Sequence, residues 1–458
     1  EVFVVNKKLT VFLSILFLLV FTSTAFAEVV TISFWGWISP EWVATYRDFE
    51  KQYPNIKIKE SLISQEWAST SEKFLAAMAA GNAPDASVQN SHQFSQWASQ
   101  DTFYDITPFT KKDKVAAKDW FAPQWKGTFF ANKQFALPGI TDTRVLYWNK
   151  NMFKQVGLNP EVAPKTWKDL ENFSEKLTKK DASGNITQFG FIPYWGNSWT
   201  WIYGWLNGGR FLDSTGKKVT CDDPRIVYAL DWMVKFYDKY CGGAQVAASF
   251  LQGFQGAAND PFVTNKVAMQ INGNWQLWFF ATFPQLEYGA APPPVPKEGM
   301  KPTTWSCGSY YAISANTKHP EEAWTFIKWL AGPEGAKAYA KNVLEQRKKD
   351  WTRQQLSGEP VYVPDLFNNK QAMKVLQDEY LPKLPSKVQE EYKLVADALN
   401  WTHSCTEMGL VGLTYWNEMD AATQAALYHK MTPKEALLQC KQRVQKALDE
   451  AWAQVKVK

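Results

Sequence analysis

Tryptophan beside planar polar side chains is the recurring chemical signature of this sequence, which holds 23 Trp in 458 residues. An indole offers a flat apolar face and one N–H donor, while Asn, Gln, Asp and Arg offer in-plane hydrogen bonds. Together they suit a ligand with apolar C–H faces and many hydroxyls, because a buried hydroxyl left unpaired costs about 1–3 kcal/mol. The stretch FVTNKVAMQINGNW, Phe262 to Trp275, is the sharpest instance. Val267, Met269 and Ile271 alternate with Ala268, Gln270 and Asn272, which reads as a short strand. Asn272-Gly273-Asn274 then permits a sharp turn, since glycine accepts positive φ at little penalty. Trp275 follows at once. Such a strand either delivers Asn274 and Trp275 to a ligand rim or buries Trp275 as a packing residue.

Other chemistries find little support. No Gly-x-Gly-x-x-Gly or phosphate loop follows any candidate strand, so a nucleotide site is not expected. His92, His319, His403 and His429 include no i, i+4 pair, so neither a metal nor any other cofactor is expected. His92 reads as a surface or capping residue, with ligand contact as the alternative. Lys and Arg number 50 against 45 Asp and Glu, with no long single-sign run, so no nucleic-acid partner is expected. Of five cysteines, Cys221–Cys241 and Cys405–Cys440 are the plausible pairs by proximity, which leaves Cys307 free; spacing alone does not establish connectivity.

Several elements must position these groups. Val29–Trp37 reads as a strand, Pro40–Tyr53 as an amphipathic helix and Ile56–Ile63 as an alternating strand. Glu66–Ala80 reads as a second helix and Asp85–Asn90 as a third strand. This βαβαβ opening predicts a parallel sheet, and ligands on such sheets sit beyond the carboxyl ends of the strands. Those ends carry Trp35, Trp37, Gln65, Glu66, Gln89 and Asn90, although Glu66 also suits a helix start. Ahead of all this, Lys7 and Lys8, the apolar run Leu9–Phe21 and Ala25-Phe26-Ala27 read as a signal peptide over 1–27, cleaved before Glu28. No Cys stands near the cleavage point, so the protein is expected to be exported, periplasmic or extracellular, without a lipid anchor.

Four segments in order carry a family resemblance: FALPGITDTRVLYWNKNMF with APKTWKDL after it, FVTNKVAMQINGNW, GSYYAISANTKHPEEAWTFIKWLAGPEG, and the closing helix pair from Tyr415 to Trp452. The chain resembles family 1 extracellular solute-binding proteins of ABC sugar importers, the maltose-binding type. The resemblance implies two α/β lobes, each a mainly parallel sheet flanked by helices, with ligand in the cleft between them. Lobe one is expected over 28–140 with 290–345, and lobe two over 141–289 with 346–458. The stretch Val343–Asn400 departs from the family pattern, which leaves its relation to the cleft open. By the same resemblance Asp142 binds sugar hydroxyls beside Arg144, and Trp275 and Trp416 stack on sugar rings. The aromatic loop Pro193–Trp205 offers Trp195, Trp199 and Trp201, at least one of them packing inward. Trp305, Gly308 and Ser309 lie on the returning segment.

The resemblance implies a monomer that binds a neutral di- or oligosaccharide, passes it to a membrane permease, and is no enzyme. Two alternatives stand beside it. A glycoside hydrolase needs two carboxylates about 5–9.5 Å apart, and Asp142 with Glu66 are the available pair. The same fold with a glycerol phosphodiester or other anion would want clustered basic groups, of which Arg144 is the main example.

Overall fold

The alternating strand of Phe262–Trp275 forms at the centre of a five-stranded sheet, and the βαβαβ opening forms one edge of a second, six-stranded sheet. The computed structural model describes residues 28–62, 67–254, 259–353 and 362–455. The expected signal peptide and the candidates Gln65 and Glu66 lie outside these.

In the first sheet β1 (Val30–Gly36) pairs in parallel with β2 (Ile56–Leu62) and β3 (Ala86–Asn90). The crossovers are α1 (Pro40–Gln52) and α2 (Trp67–Ala79). α1 buries Trp42, Tyr46 and Phe49, the helical spacing read from the sequence. α3 (Ser91–Ala98) begins where β3 ends, capped by the Asn90 side chain. Across the sheet lies β4 (Ala136–Thr141), and the chain passes straight from it into β5 (Arg144–Asn149) of the second sheet.

The second sheet runs in the order β9 (Tyr288–Ala291), β5, β8 (Val267–Gly273), β7 (Ile186–Phe191), β6 (Lys179–Lys180). β8 pairs in parallel with β7 and antiparallel with β5, so β5 runs against the main direction. The chain returns through the short β10 (Thr304–Ser306) to β11 (Gly308–Ile313), which inserts antiparallel between β3 and β4. Most strands of each sheet share a direction, but only β1–β2, β1–β3 and β7–β8 pair in parallel, so both sheets are mixed.

The lobe boundary differs from expectation. The helix Pro333–Arg353 packs on α1, and β12 (Leu366–Phe367) pairs with Thr141 and Ile140 of β4. The described residues 333–353 and 366–367 therefore lie with the first sheet, beyond the boundary expected at residue 345. Beyond it, the helices Lys370–Tyr380 and Ser386–Asp397 bury Leu376, Tyr392 and Val395 against Tyr147, Phe280 and Tyr288 of the second lobe. Among the described residues, none of 343–400 lines the interlobe cleft.

The cysteine pairing also differs. β10 and β13 (Thr402–Ser404) form a two-stranded parallel ribbon with Ser306 opposite Ser404. The next residue on each strand is a cysteine, and Cys307 is bridged to Cys405 with Cα atoms 5.3 Å apart. Cys221, Cys241 and Cys440 are free and buried. Sequence proximity misled because a parallel ribbon joins segments 98 residues apart.

Candidate ligand-binding site

A cleft of about 520 Å³ opens between the two sheets. Strand register explains its first wall. Ser309 sits opposite Asn90, and Gly308 opposite Thr141, so the ends of β3 and β4 and the start of β11 meet along one edge. All four residues line the cleft, joined by Ile140, by His92 and Gln93 from the first turn of α3, and by Trp37 just past β1. Trp37 is held by stacking on Trp42, centroids 4.7 Å apart.

The facing wall is aromatic. Trp199, ahead of the helix Thr200–Leu206, meets Trp416 edge-on at 4.7 Å and Trp305 at 5.2 Å. Trp416 lies on α4 (Gly412–Leu427), with Leu413 and Asn417 beside it in the cleft. Trp275 is half-buried and lines the cleft at the end of that strand.

The glycine of that turn serves a different purpose from the one expected. Gly273 stays in β8 without positive φ. A Cβ there would run into the ring of Trp275, which folds back over the strand end. Asn274 anchors the turn and does not face the cleft: its Oδ1 accepts from Thr143 N at 3.1 Å, and its own N–H donates to Thr143 O at 3.0 Å.

Arg144 sits at the centre of the floor, opposite Gly273 in the β5–β8 register. Its guanidinium lies over Trp305, 3.5 Å from the ring centroid, and 5.4 Å from that of Trp275. It pairs with the Asp142 carboxylate, and Nη2 donates to Asn197 Oδ1 at 3.1 Å. Asp142 also accepts the Cys307 N–H at 2.8 Å. Burial raises the Asp142 pKa and lowers that of Arg144, each opposed by the attraction between them. Both contacts fall on Oδ1, so Asp142 braces the crossing through that oxygen, while its side chain stays 21% exposed outside the residues that line the cleft. A sugar-contacting carboxylate was expected there; the structure shows Asp142 bracing Arg144 through Oδ1.

Four other candidates fall elsewhere. Trp35 packs edge-on against Phe74 at 6.5 Å, on the face that α2 covers. Gln89 is buried within the sheet, where its Nε2 donates to Ser87 Oγ at 2.8 Å. Trp201 is 2% exposed and stacks behind Trp416 at 6.1 Å. Trp195 packs between the two hydrophobic clusters of the second lobe.

The sequence reading missed Gln93, Ile140, Thr141, Asn197, Cys307, Leu413 and Asn417 as cleft residues, and it preferred a surface or capping role for His92, which lines the cleft. Most adjoin a named candidate in sequence, and Asn197 lies inside the aromatic loop. His92 Nδ1 is 2.6 Å from Asn90 Oδ1, and its ring meets Trp416 edge-on at 5.1 Å. Burial, and secondarily Arg144, lower its pKa to about 3, so the imidazole is neutral at physiological pH. Among the described residues, the only grouping with metal-ligand spacing is His92, Cys307 and Cys405, and the bridge takes both sulfurs.

Indole faces, amides, hydroxyls and one braced guanidinium thus surround the cleft, and among the described residues no Asp or Glu lines it. Such a surface can stack on ring C–H faces and exchange hydrogen bonds with hydroxyls.

Comparison with known proteins agrees with this geometry. The model for bacterial extracellular solute-binding proteins matches residues 33–337. The maltodextrin-binding protein MdxE of Bacillus subtilis is 26% identical over 275 residues, 58% of this chain and 61% of that protein. The multiple sugar-binding protein of Streptococcus mutans is 25% identical over 309 residues, 64% of this chain and 68% of that protein. The structure of CpMnBP1 with mannotriose bound superposes with a TM-score of 0.72 at 29% identity, covering 91% of this chain and all (100%) of that one.

Proposed function

We propose that this chain, which belongs to the bacterial extracellular solute-binding protein family, captures a neutral di- or trisaccharide in the interlobe cleft and delivers it to an ABC permease. The observation that carries this reading is the composition of the cleft: Trp37, Trp199, Trp275 and Trp416 supply indole surface from both lobes, with amides and hydroxyls between them, while Trp305 lies buried beneath Arg144. The likeness to CpMnBP1, together with the named sugar-binding relatives, supports a manno-oligosaccharide as the first ligand to try.

Sugar touching both walls stabilises a closed arrangement because it binds that arrangement better. The protein is read as an exported binding component without turnover of its own. The carboxylate pair a hydrolase needs is absent from the described lining, and Asp142 is committed to Arg144 and Cys307. An anionic ligand is less well served, because Arg144 is already paired.

Titration calorimetry against mannobiose, mannotriose, maltotriose and glycerophosphocholine tests the reading. Binding of a neutral sugar, recovered unchanged afterwards, is expected. Binding of the phosphodiester alone, or hydrolysis that tracks with the protein, would overturn it.

A further inference from the structure

We infer that the Cys307–Cys405 bridge is a positioning element of the sugar site, so that capture depends on its oxidised state; this rests on the sugar-binding reading above. The bridge closes the end of the β10–β13 ribbon. Trp305 lies two residues before Cys307, and Gly308 and Ser309 follow it into the opposite wall. Cys405 opens the turn Cys405–Val411, which packs on α3 and leads directly into α4 with Trp416 and Asn417. One covalent bond therefore fixes the spacing between the strand bearing Trp305 and the segment bearing Trp416, whose rings lie 5.9 Å apart. The strands it joins are three residues each, and a ribbon that short is marginal on its own.

A second contact ties the bridge to the cleft. His92 Nε2 is 3.3 Å from Cys307 Sγ. His92 Nδ1 is 3.7 Å from the same sulfur, so Sγ rests against the face of the imidazole. Reduction adds two electrons and two protons to the S–S bond and gives two thiols. Two thiol sulfurs do not stay at bonding distance, so Cys307 and Cys405 Sγ move apart and the contact of Cys307 with the His92 ring shifts. Because His92 packs on Trp416, the aromatic wall registers the change. The consequence is compartmental: thiols kept reduced inside the cell leave the site unformed, and the oxidising exterior completes it.

The test begins with oxidised wild type titrated with mannobiose, mannotriose and maltotriose. If none binds, the sugar reading fails at this stage. With a sugar that binds, calorimetry is repeated on wild type reduced in place by a phosphine, which becomes the phosphine oxide, and on the Cys307→Ser/Cys405→Ser variant. Affinity is expected to fall at least tenfold in both, with far-UV circular dichroism unchanged. Cys221→Ala, at a buried free cysteine away from the cleft, should lower the apo melting temperature and leave affinity within twofold. Affinity retained on reduction overturns the inference, and so does loss of secondary structure in the reduced wild type, which would make the bridge a folding element only.

Discussion

Asp142 and Arg144 in the cleft and Glu391 on the helix Ser386–Asp397 are all buried ionisable groups, but their surroundings differ. The first two lie side by side, with the Cys307 amide, Asn197 and the face of Trp305 completing their contacts. Glu391 has Lys387 Nζ at 3.7 Å and otherwise faces Tyr147 and Tyr288, and burial raises its pKa to about 7. A charged pair in the cleft holds shape at the pH of use. A carboxyl under the helix keeps its proton until the medium removes it. Sites that position a ligand need the first arrangement, since an unpaired buried charge is resolved by a shift in pKa or a shift in structure.

The largest expected effect breaks the paired side of that comparison. Asp142→Ala leaves Arg144 buried without its anion and should cost about 3–5 kcal/mol of unfolding free energy. Urea denaturation measures it. The further change Arg144→Met should restore much of the loss; a single variant that loses under about 1 kcal/mol would show that the pair is already solvated.

The unpaired side should respond to pH in the opposite sense to the cleft. Glu391 has a folded pKa of about 7 against the ordinary 4.5, so it holds its proton better when folded. Its contribution is present below 4.5 and lost as pH rises toward 7. Glu391→Gln should therefore stabilise the protein at pH 8 by an amount on the order of 3 kcal/mol and change little at pH 4. His92 has a folded pKa of about 3 against 6.5, so it holds its proton worse when folded. Its contribution is present above 6.5 and lost as pH falls toward 3, and His92→Gln should flatten that acid arm. Melting temperatures from pH 4 to 8 for the two variants separate the arms; an acid limb unchanged in His92→Gln would place that charge elsewhere.

Smaller effects probe the rim. Trp275→Ala should weaken sugar binding by roughly 2 kcal/mol and leave the apo melting temperature nearly unchanged, as calorimetry and thermal unfolding would show. A steep apo loss with affinity intact would instead make Trp275 a packing residue. Gly273→Ala should act in the same direction but more weakly, a few-fold in affinity, because the added methyl displaces the ring it would strike. Equal affinities for wild type and Gly273→Ala would show that the ring has another resting place.

Much of the fold is legible in residue patterns. The spacing of Trp42, Tyr46 and Phe49 marks α1, and Phe262–Trp275 reads correctly as a buried strand, with the Trp275 that follows it lining the cleft. The aromatic loop is correctly found, but not which ring faces the cleft: Trp199 does and Trp201 does not. Both precede the same apolar run, and only the packing of the helix Thr200–Leu206 against Phe211 and Tyr415 turns Trp201 inward.

Local periodicity and turn chemistry act over a few residues, so the sequence alone determines the strands, the helices and the order in which they alternate. It also determines the chemical character of the site, because tryptophan and planar amides carry their stacking and bonding geometry wherever they are placed. Partnership across the chain is a tertiary property. The register Ser306 to Ser404 decides that Cys307 meets Cys405, and the close approach of two crossings decides that Asp142 braces Arg144. The pairing of Leu366 with Thr141 decides which lobe holds β12. Each joins residues more than 90 positions apart or turns a side chain away from the cleft its neighbours line. Only the packed sheets, which fix register by burying one set of faces, can select among such pairings.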